Sequence, residues 1–161
     1  MGRLKEFHFM WADAWFMIDH GYDTILENAE DGSVRLQCLV NGKPQSIDLT
    51  DRENEFIESL EQCNIRSWDR KSYYNEWIMD GFTWSFSVAY DNITIRADGT
   101  NGYPKEFERF LEVLIATWGL QESDIYCSER KELKKSMKYT RVERMSNYTA
   151  TMSSYQMRRE T

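Results

Sequence analysis

Four ionisable side chains near the N-terminus most resemble a set of metal ligands: Asp13, Asp19, His20 and Asp23. Carboxylate oxygens and an imidazole nitrogen are common ligands of divalent metals. Their spacing matches no standard metal site, however, and aspartate is equally common in turns. We therefore predict no metal site, and we assign no cofactor to the chain.

The three cysteines, Cys38, Cys63 and Cys127, are the candidate nucleophiles. A thiol nucleophile needs a base within reach, and nothing in the sequence places either histidine beside a cysteine. His8 falls in a strand pattern, which favours a satisfied or exposed strand histidine. The motifs of phosphate-binding loops, serine hydrolases and zinc proteases do not occur. We predict that the protein is not an enzyme and has no catalytic residues.

Two groups of residues have the chemistry of a partner contact. Tyr73, Tyr74 and Trp77 are aromatic without clear periodicity, so they form either a lid over a sheet or an interface anchor. Further along the chain lie basic side chains and the adaptable side chains of methionine and tyrosine, and we predict a second contact from these residues: Lys134, Lys135, Arg141, Arg144, Met145, Tyr148 and Met152.

Two turn signals predict adjacent β-hairpins in the first third of the chain. Asp31-Gly32 and Asn41-Gly42 each separate two apolar runs, and Asn-Gly suits a two-residue type I′ turn. A two-residue loop at Asn41-Gly42 pairs Leu36 with Ile47 on one face and Arg35 with Asp48 on the other. Alternation over residues 3–11 predicts a strand before them.

A third hairpin and two helices complete the predicted body. WSFSVAY and ITIRA alternate around a turn at Asp91-Asn92, and Asp98-Gly99 is predicted to turn the chain again. A capping box at Thr50 and Glu53 predicts a helix over 51–63. Pro104 and a stripe of apolar residues predict another over 104–118, with Asn101 as its cap. The fold class is α+β: an antiparallel sheet of about five to seven strands, covered on one face by both helices.

One pattern within these elements resembles that of a known group of proteins. It reads D-G-x-x-W…N-x-Y-P-x-x-F and uses Asp80, Gly81, Trp84, Asn101, Tyr103, Pro104 and Phe107. It is similar to a pattern in small uncharacterised proteins of low-GC Gram-positive bacteria and their mobile elements. The resemblance covers residues 56–118. It implies a bacterial or phage origin and carries no known activity.

Charge divides the chain into two parts. Residues 1–126 hold 11 basic and 23 acidic residues (net −12), and residues 127–161 hold nine basic and four acidic (net +5). We predict an acidic domain at 1–119 and a basic tail at 120–161. Residues 122–161 contain no glycine or proline, and a helix is predicted over 123–138. A second helical seam is predicted from side chains that recur every three or four residues: Tyr139, Val142, Met145, Tyr148, Met152 and Tyr155. The alternatives are a helix packed back on its own domain and a partly disordered segment.

The cellular compartment expected for this chain follows from targeting and membrane signals that the sequence does not show. No apolar run is long enough for a membrane span, and the N-terminus lacks the pattern of a signal peptide. Three widely separated cysteines, an odd number, indicate reduced thiols. We predict a cytoplasmic protein.

An acidic body without catalytic motifs favours binding over catalysis. The first hypothesis is a protein-binding modulator from a phage or mobile element. It would be an anti-CRISPR-like inhibitor that competes for a nucleic-acid-binding surface by imitating phosphate charge. The second is a nucleic-acid-associated accessory subunit that uses the basic tail, although the acidic body makes direct nucleic-acid binding unfavourable. The third is a hydrolase with an unrecognised acidic site. A homo-oligomer formed through the tail is the remaining partner hypothesis.

Overall fold

The computed structural model describes residues 4–13, 21–40, 42–75, 82–119 and 140–145. Within these residues the chain forms eight strands and two α-helices, and a turn of 3₁₀ helix at Ile65–Trp68 precedes the fifth strand. The strands are β1 Leu4–Asp13, β2 Gly21–Asn28, β3 Val34–Val40, β4 Lys43–Asp48, β5 Lys71–Tyr74, β6 Phe82–Tyr90, β7 Ile93–Thr100 and β8 Arg141–Arg144. The helices are α1 Glu53–Glu61 and α2 Phe107–Trp118. The fold class is α+β, as predicted.

All eight strands belong to one sheet, in the order β4-β3-β2-β1-β6-β7-β5-β8. The prediction of an antiparallel sheet is wrong at one position, because β5 runs parallel to its neighbour β7. The sheet is therefore mixed. The residues now in β5 were predicted to be an irregular connection, since a four-residue strand is too short to show a period of two.

The three predicted hairpins form, and the register predicted for the turn at Asn41-Gly42 is confirmed. In β3 and β4, Leu36 lies opposite Ile47 and Arg35 opposite Asp48. In β6 and β7, Val88 lies opposite Ile95 and Ser87 opposite Arg96. Alternating burial and the turn geometry together specify the register, because a shift of one residue would move the apolar side chains to the solvent face.

Both helices pack on the same face of the sheet, over its central strands. The ring of Phe56 in α1 meets Phe7 in β1 edge to face, with centroids 5.3 Å apart. In α2, Phe110 meets Phe9 at 5.0 Å. The predicted apolar stripe of α2 is confirmed, because all of its members are buried: Phe107, Phe110, Leu111, Leu114, Ile115 and Trp118. Among the described residues, neither helix is long and apolar enough to span a membrane.

The predicted capping box at the start of α1 is wrong. The helix begins at Glu53, and no side chain caps it. Thr50 Oγ1 instead accepts a hydrogen bond from the Val34 amide, and Glu53 Oε2 accepts one from the Leu4 amide. Both side chains tie the helix to strands, so tertiary partners have replaced the local ones.

The predicted tail contributes to the sheet of the predicted domain. Strand β8 pairs with β5, so Val142 lies opposite Tyr73 and Arg144 opposite Lys71. The helical seam predicted through Val142 and Met145 is therefore wrong over Arg141–Arg144. The predicted helix over 123–138 lies outside the described residues. The boundary between residues 119 and 120 stays a prediction.

Candidate protein-binding surfaces

The residues of the D-G-x-x-W…N-x-Y-P pattern that the structure describes all have structural roles. Trp84 Nε1 donates a hydrogen bond to the Gly102 carbonyl at 2.8 Å. Trp11 Nε1 donates one to the Tyr103 hydroxyl at 3.2 Å. Asn101 Oδ1 accepts one from the Phe82 amide, so the prediction that Asn101 caps α2 is wrong. Asp80 and Gly81 lie outside the described residues.

The predicted aromatic contact group divides between core and surface. Tyr73 is 5% exposed, and its ring lies 5.9 Å from that of Trp84. Burial raises the pKa of Tyr73 to about 12. Tyr74 is half-buried, with the Arg141 guanidinium 5.8 Å from its ring centroid. Trp77 lies outside the described residues. The partner contact stays a prediction, and Tyr73 serves the core.

Three of the seven predicted tail contacts lie within the described residues. Arg141 and Arg144 are exposed on β8, and the Met145 amide donates to the Arg70 carbonyl. The remaining four lie outside the described residues: Lys134, Lys135, Tyr148 and Met152. The contact that these seven residues were predicted to make therefore stays a prediction.

The structure describes two of the three thiols, and both are buried. Cys38 and Cys63 are free and buried, and burial raises the pKa of each above its usual value. Neutral buried thiols are poor nucleophiles, because the thiolate is the reactive form. Cys127 lies outside the described residues.

Of the N-terminal ionisable group, the structure describes only the side chain of Asp23. His8 Nε2 lies 3.1 Å from Asp23 Oδ1, a contact between β1 and β2. Within the described stretches of chain, no three histidine, cysteine or acidic residues come together in a way that could hold a metal ion. Asp19 and His20 lie outside those stretches.

Asp98 is the described carboxyl whose surroundings most resemble those of a functional acid. It lies within β7, so the prediction that it forms a turn is wrong. Burial raises its pKa, while a 2.5 Å hydrogen bond from Ser72 Oγ lowers it. This bond links β7 to its parallel neighbour β5, and we therefore assign Asp98 a structural role between strands.

The exposed positions of the two helices are rich in acidic residues. α1 and α2 together contain six glutamates and one arginine, a net charge of −5. We call the outward-facing glutamates the acidic helical surface: Glu55, Glu58, Glu61, Glu108 and Glu112. Arg109 lies between the helices, where its Nη2 is 3.5 Å from Gln62 Oε1.

The fold has a use for only part of this charge. Glu61 accepts hydrogen bonds from Arg66 and from the Tyr90 hydroxyl, and both lower its pKa, so it stays ionised. Glu55 and Glu58 form no ion pair within the part of the chain that the structure describes. Glu55, Glu58 and Glu61 follow one another at i,i+3, which creates two like-charge pairs. Each such pair destabilises a helix by about 0.2–0.5 kcal/mol. The acidic helical surface therefore carries charge that the helix does not need.

The sequence signal for this surface was present in the run ENEFIESLE, which places Glu55 and Glu58 opposite the buried stripe. The sequence prediction used only the total charge of residues 1–126. A helical projection of this run would have located the charge.

A scan against protein-family models finds no match for this chain, and searches of curated proteins and of solved structures also find none. The resemblance over residues 56–118 therefore stays a prediction. Among the described surfaces, the acidic helical surface is the one whose charge exceeds what the fold uses.

Proposed function

We propose that this protein is a non-catalytic binding protein that occupies the nucleic-acid-binding surface of a host complex. It would act as a phage or mobile-element inhibitor of the anti-CRISPR kind. The observation that carries the proposal is the net charge of −5 on α1 and α2. Lysine and arginine side chains that bind phosphates also bind carboxylates, so this surface competes with nucleic acid for them.

The spacing of the glutamates supports this competition. Glu55, Glu58 and Glu61 follow one another at i+3, a rise of about 4.5 Å along the axis for each step. One strand of a DNA duplex places a phosphate about every 3.4 Å along its axis. A basic channel that neutralises successive phosphates therefore meets carboxylates at a comparable interval.

The cost of these charges to the helix also favours a binding role. Glu58 and Glu61 lie in the second half of α1, where the helix dipole disfavours negative charge. No basic residue occupies the last turn of α1, and Arg66, just beyond the helix, pairs with Glu61. A surface selected only for solubility could carry lysine at position 58, where it would remove both like-charge pairs.

A second candidate, the nucleic-acid accessory subunit, has one observation in its favour. Arg141 and Arg144 are exposed on β8, and Arg144 lies opposite Lys71 at the start of β5. Arg141 also lies over the Tyr74 ring. Basic and aromatic side chains together are typical of single-strand binding surfaces.

Competitive capture tests the first candidate. The full chain is immobilised and exposed to bacterial lysate, and bound proteins are challenged with single-stranded DNA or heparin. We expect the captured proteins to be displaced by either polyanion. The double variant Glu55→Gln, Glu58→Gln should capture at least tenfold less. The matched control is Glu30→Gln, Asp91→Asn, which removes two exposed charges in turns outside the helices and should capture normally.

Two results would contradict the proposal. Capture that resists polyanions would show that the partner's nucleic-acid site is not occupied, and equal losses in both double variants would show a non-specific charge effect. Direct binding of labelled single-stranded DNA, lost in Arg141→Ala, Arg144→Ala, would instead favour the accessory subunit.

A further inference from the structure

A groove lies on the sheet face that points away from α1 and α2. It crosses β2, β3 and β4 and has a volume of about 440 Å³. Its lining includes Asp23, Ile25, Gln37, Leu39, Pro44 and Ser46. These residues alternate with the ones that face the helices, so the groove and the acidic helical surface are on opposite sides of the molecule.

The floor of the groove is unusually apolar for an exposed position. Ile25 is 55% exposed and Leu39 is 37% exposed. In the described part of the chain, only one other large apolar side chain, Val142, is exposed. Asp23 lies opposite Leu39 in the register, and Gln37 lies opposite Ile25, so apolar and polar groups alternate across the groove. Single exposed apolar side chains need no explanation, but neighbouring ones mark an interaction site.

Negative charge borders this apolar floor. Asp23 is partly exposed beside His8, and Glu27 Oε2 accepts a hydrogen bond from the groove residue Gln37. Arg35 lies between Glu27 and Asp48 in the register. Three acidic residues and one basic residue give this border a net charge of −2, which favours a cationic ligand.

The geometry excludes two other ways of using this part of the sheet. Among the described residues nothing covers the groove, which is open to solvent along its length, whereas small-molecule sites enclose most of their ligand. Strand addition at the β4 edge is disfavoured by Pro44, because proline has no amide hydrogen to donate to an added strand. A ligand must therefore lie on the face and be recognised through its side chains.

We infer that the groove binds an extended peptide segment of a partner protein, with an apolar side chain against Ile25 and Leu39 and a lysine or arginine beside Asp23. In an extended chain, alternate side chains point the same way, which matches an apolar residue and a basic residue two positions apart. The inference does not depend on the proposed function, since it uses the opposite face.

Chemical-shift mapping on the full-length, nitrogen-15-labelled chain tests this inference. The probe is the capped peptide Ser-Leu-Ser-Arg-Ser-Leu-Ser-Arg-Ser. We expect shifts at the amides of β2, β3 and β4 and none in α1. A peptide with glutamate in place of arginine, or serine in place of leucine, should bind at least fivefold more weakly.

Matched variants locate the contact. Ile25→Ser, Leu39→Ser should raise the dissociation constant at least fivefold, and Val142→Ser, an equally exposed apolar position on β8, should leave it unchanged. Asp23→Asn should remove most of the salt dependence. Thermal melts and amide dispersion verify that each variant is folded.

The inference is overturned by shifts confined to α1 and α2, which would show that the peptide reads only the acidic helical surface. It is also overturned if the glutamate peptide binds equally well or the double serine variant binds normally. If light scattering shows a dimer that the double serine variant loses, the occupant is a second copy of the chain and not a partner peptide.

Discussion

At the level of single residues, polar and small side chains in the core connect strands that are distant in sequence. Ser72 bonds to Asp98 between β5 and β7, and Trp84 bonds to the Gly102 carbonyl beyond the end of β7. Gly99 lies in β7 where a Cβ would collide with the Trp84 indole nitrogen. The polar groups of Ser72, Asp98 and Trp84 look chemically available in the sequence, but each forms a hydrogen bond within the fold.

The buried carboxyl of Asp98 predicts a pH-dependent stability. Its pKa is raised by burial, so the folded state binds the proton more readily than the unfolded chain. Its contribution is therefore full below the unfolded pKa, near 3.8, and is lost as pH rises through the folded pKa. We expect Asp98→Asn, which keeps the acceptor for Ser72, to raise the unfolding free energy at pH 7 and to have no such benefit at pH 3.

Urea melts at both pH values measure this difference. Ser72→Ala removes the hydroxyl that stabilises the ionised carboxylate, so it should lower stability more at pH 7 than at pH 3. A loss of stability in Asp98→Asn at pH 7 would contradict the burial argument and would indicate that the charge itself is required.

Gly102 has no room for a side chain. A Cβ there would collide with the amide nitrogen of Tyr74 and lie 2.6 Å from the Tyr73 carbonyl carbon. Backbone atoms cannot move aside by changing rotamer, so we expect Gly102→Ala to cost at least about 3 kcal/mol. Gly32→Ala is the comparison, because space is open there and only its φ of 88° is unfavourable. It should cost about 1–2 kcal/mol in the same urea melts. A larger loss of stability for Gly32→Ala than for Gly102→Ala would contradict the collisions described at Gly102.

At the level of elements, α1 shows that one helix can be well packed and electrostatically unfavourable. Its inner side buries Phe56, Ile57 and Leu60, and its outer side has glutamates at positions 55, 58 and 61. Packing of the inner side supplies the stability of a nine-residue helix, since isolated helices of this length are marginal. The outer side is therefore free to serve a partner.

Glu58→Lys separates stability from binding in this helix. It removes two like-charge pairs and creates two opposite-charge pairs, each worth about 0.2–0.5 kcal/mol, so we expect the unfolding free energy to rise by about 0.8–2 kcal/mol. Glu58→Gln should give roughly half of that gain. Urea melts measure both values. Capture of polyanion-sensitive partners should fall in the order wild type, Glu58→Gln, Glu58→Lys, and a variant that gains stability and keeps full capture would contradict the proposed role of α1.

At the level of the whole molecule, the core and the sheet have different extents in the sequence. The buried apolar core of the described residues runs from Leu4 to Trp118. The sheet extends further, because β8 pairs with β5 and Thr140 Oγ1 accepts a hydrogen bond from the Tyr103 amide. Residues beyond 119 therefore add hydrogen bonds to the domain and no core side chain that the structure describes.

A chain ending at Gly119 should fold, because it retains the whole described core. It loses β8, so we expect the β5 amides that face β8 to lose protection in hydrogen exchange, while those that face β7 stay protected. Light scattering and capture on the same chain test the predicted oligomer and contacts of the tail. An insoluble or unfolded product would show that residues beyond 119 are part of the core.

Local signals in the sequence determined the hairpins, both helices and the apolar stripe of α2. The Asn41-Gly42 turn and the alternation around it are sufficient to set the register of β3 and β4, because both act over a few residues. The period of Phe107 to Trp118 predicts a buried helix for the same reason. The total charge was also readable, although its concentration on the outer side of α1 needed a helical projection.

Only the tertiary structure decided what joins the sheet beside β7. The parallel pairing of β5 and the addition of β8 connect backbone segments that are distant along the chain, and backbone pairing leaves no side-chain period in so short a strand. The capping roles predicted for Thr50, Glu53 and Asn101 also depended on distant residues, because each side chain bonds instead to the backbone of a strand. The groove over Ile25 and Leu39 likewise depends on the tertiary structure, because both helices of the described ranges pack on the opposite face of the sheet.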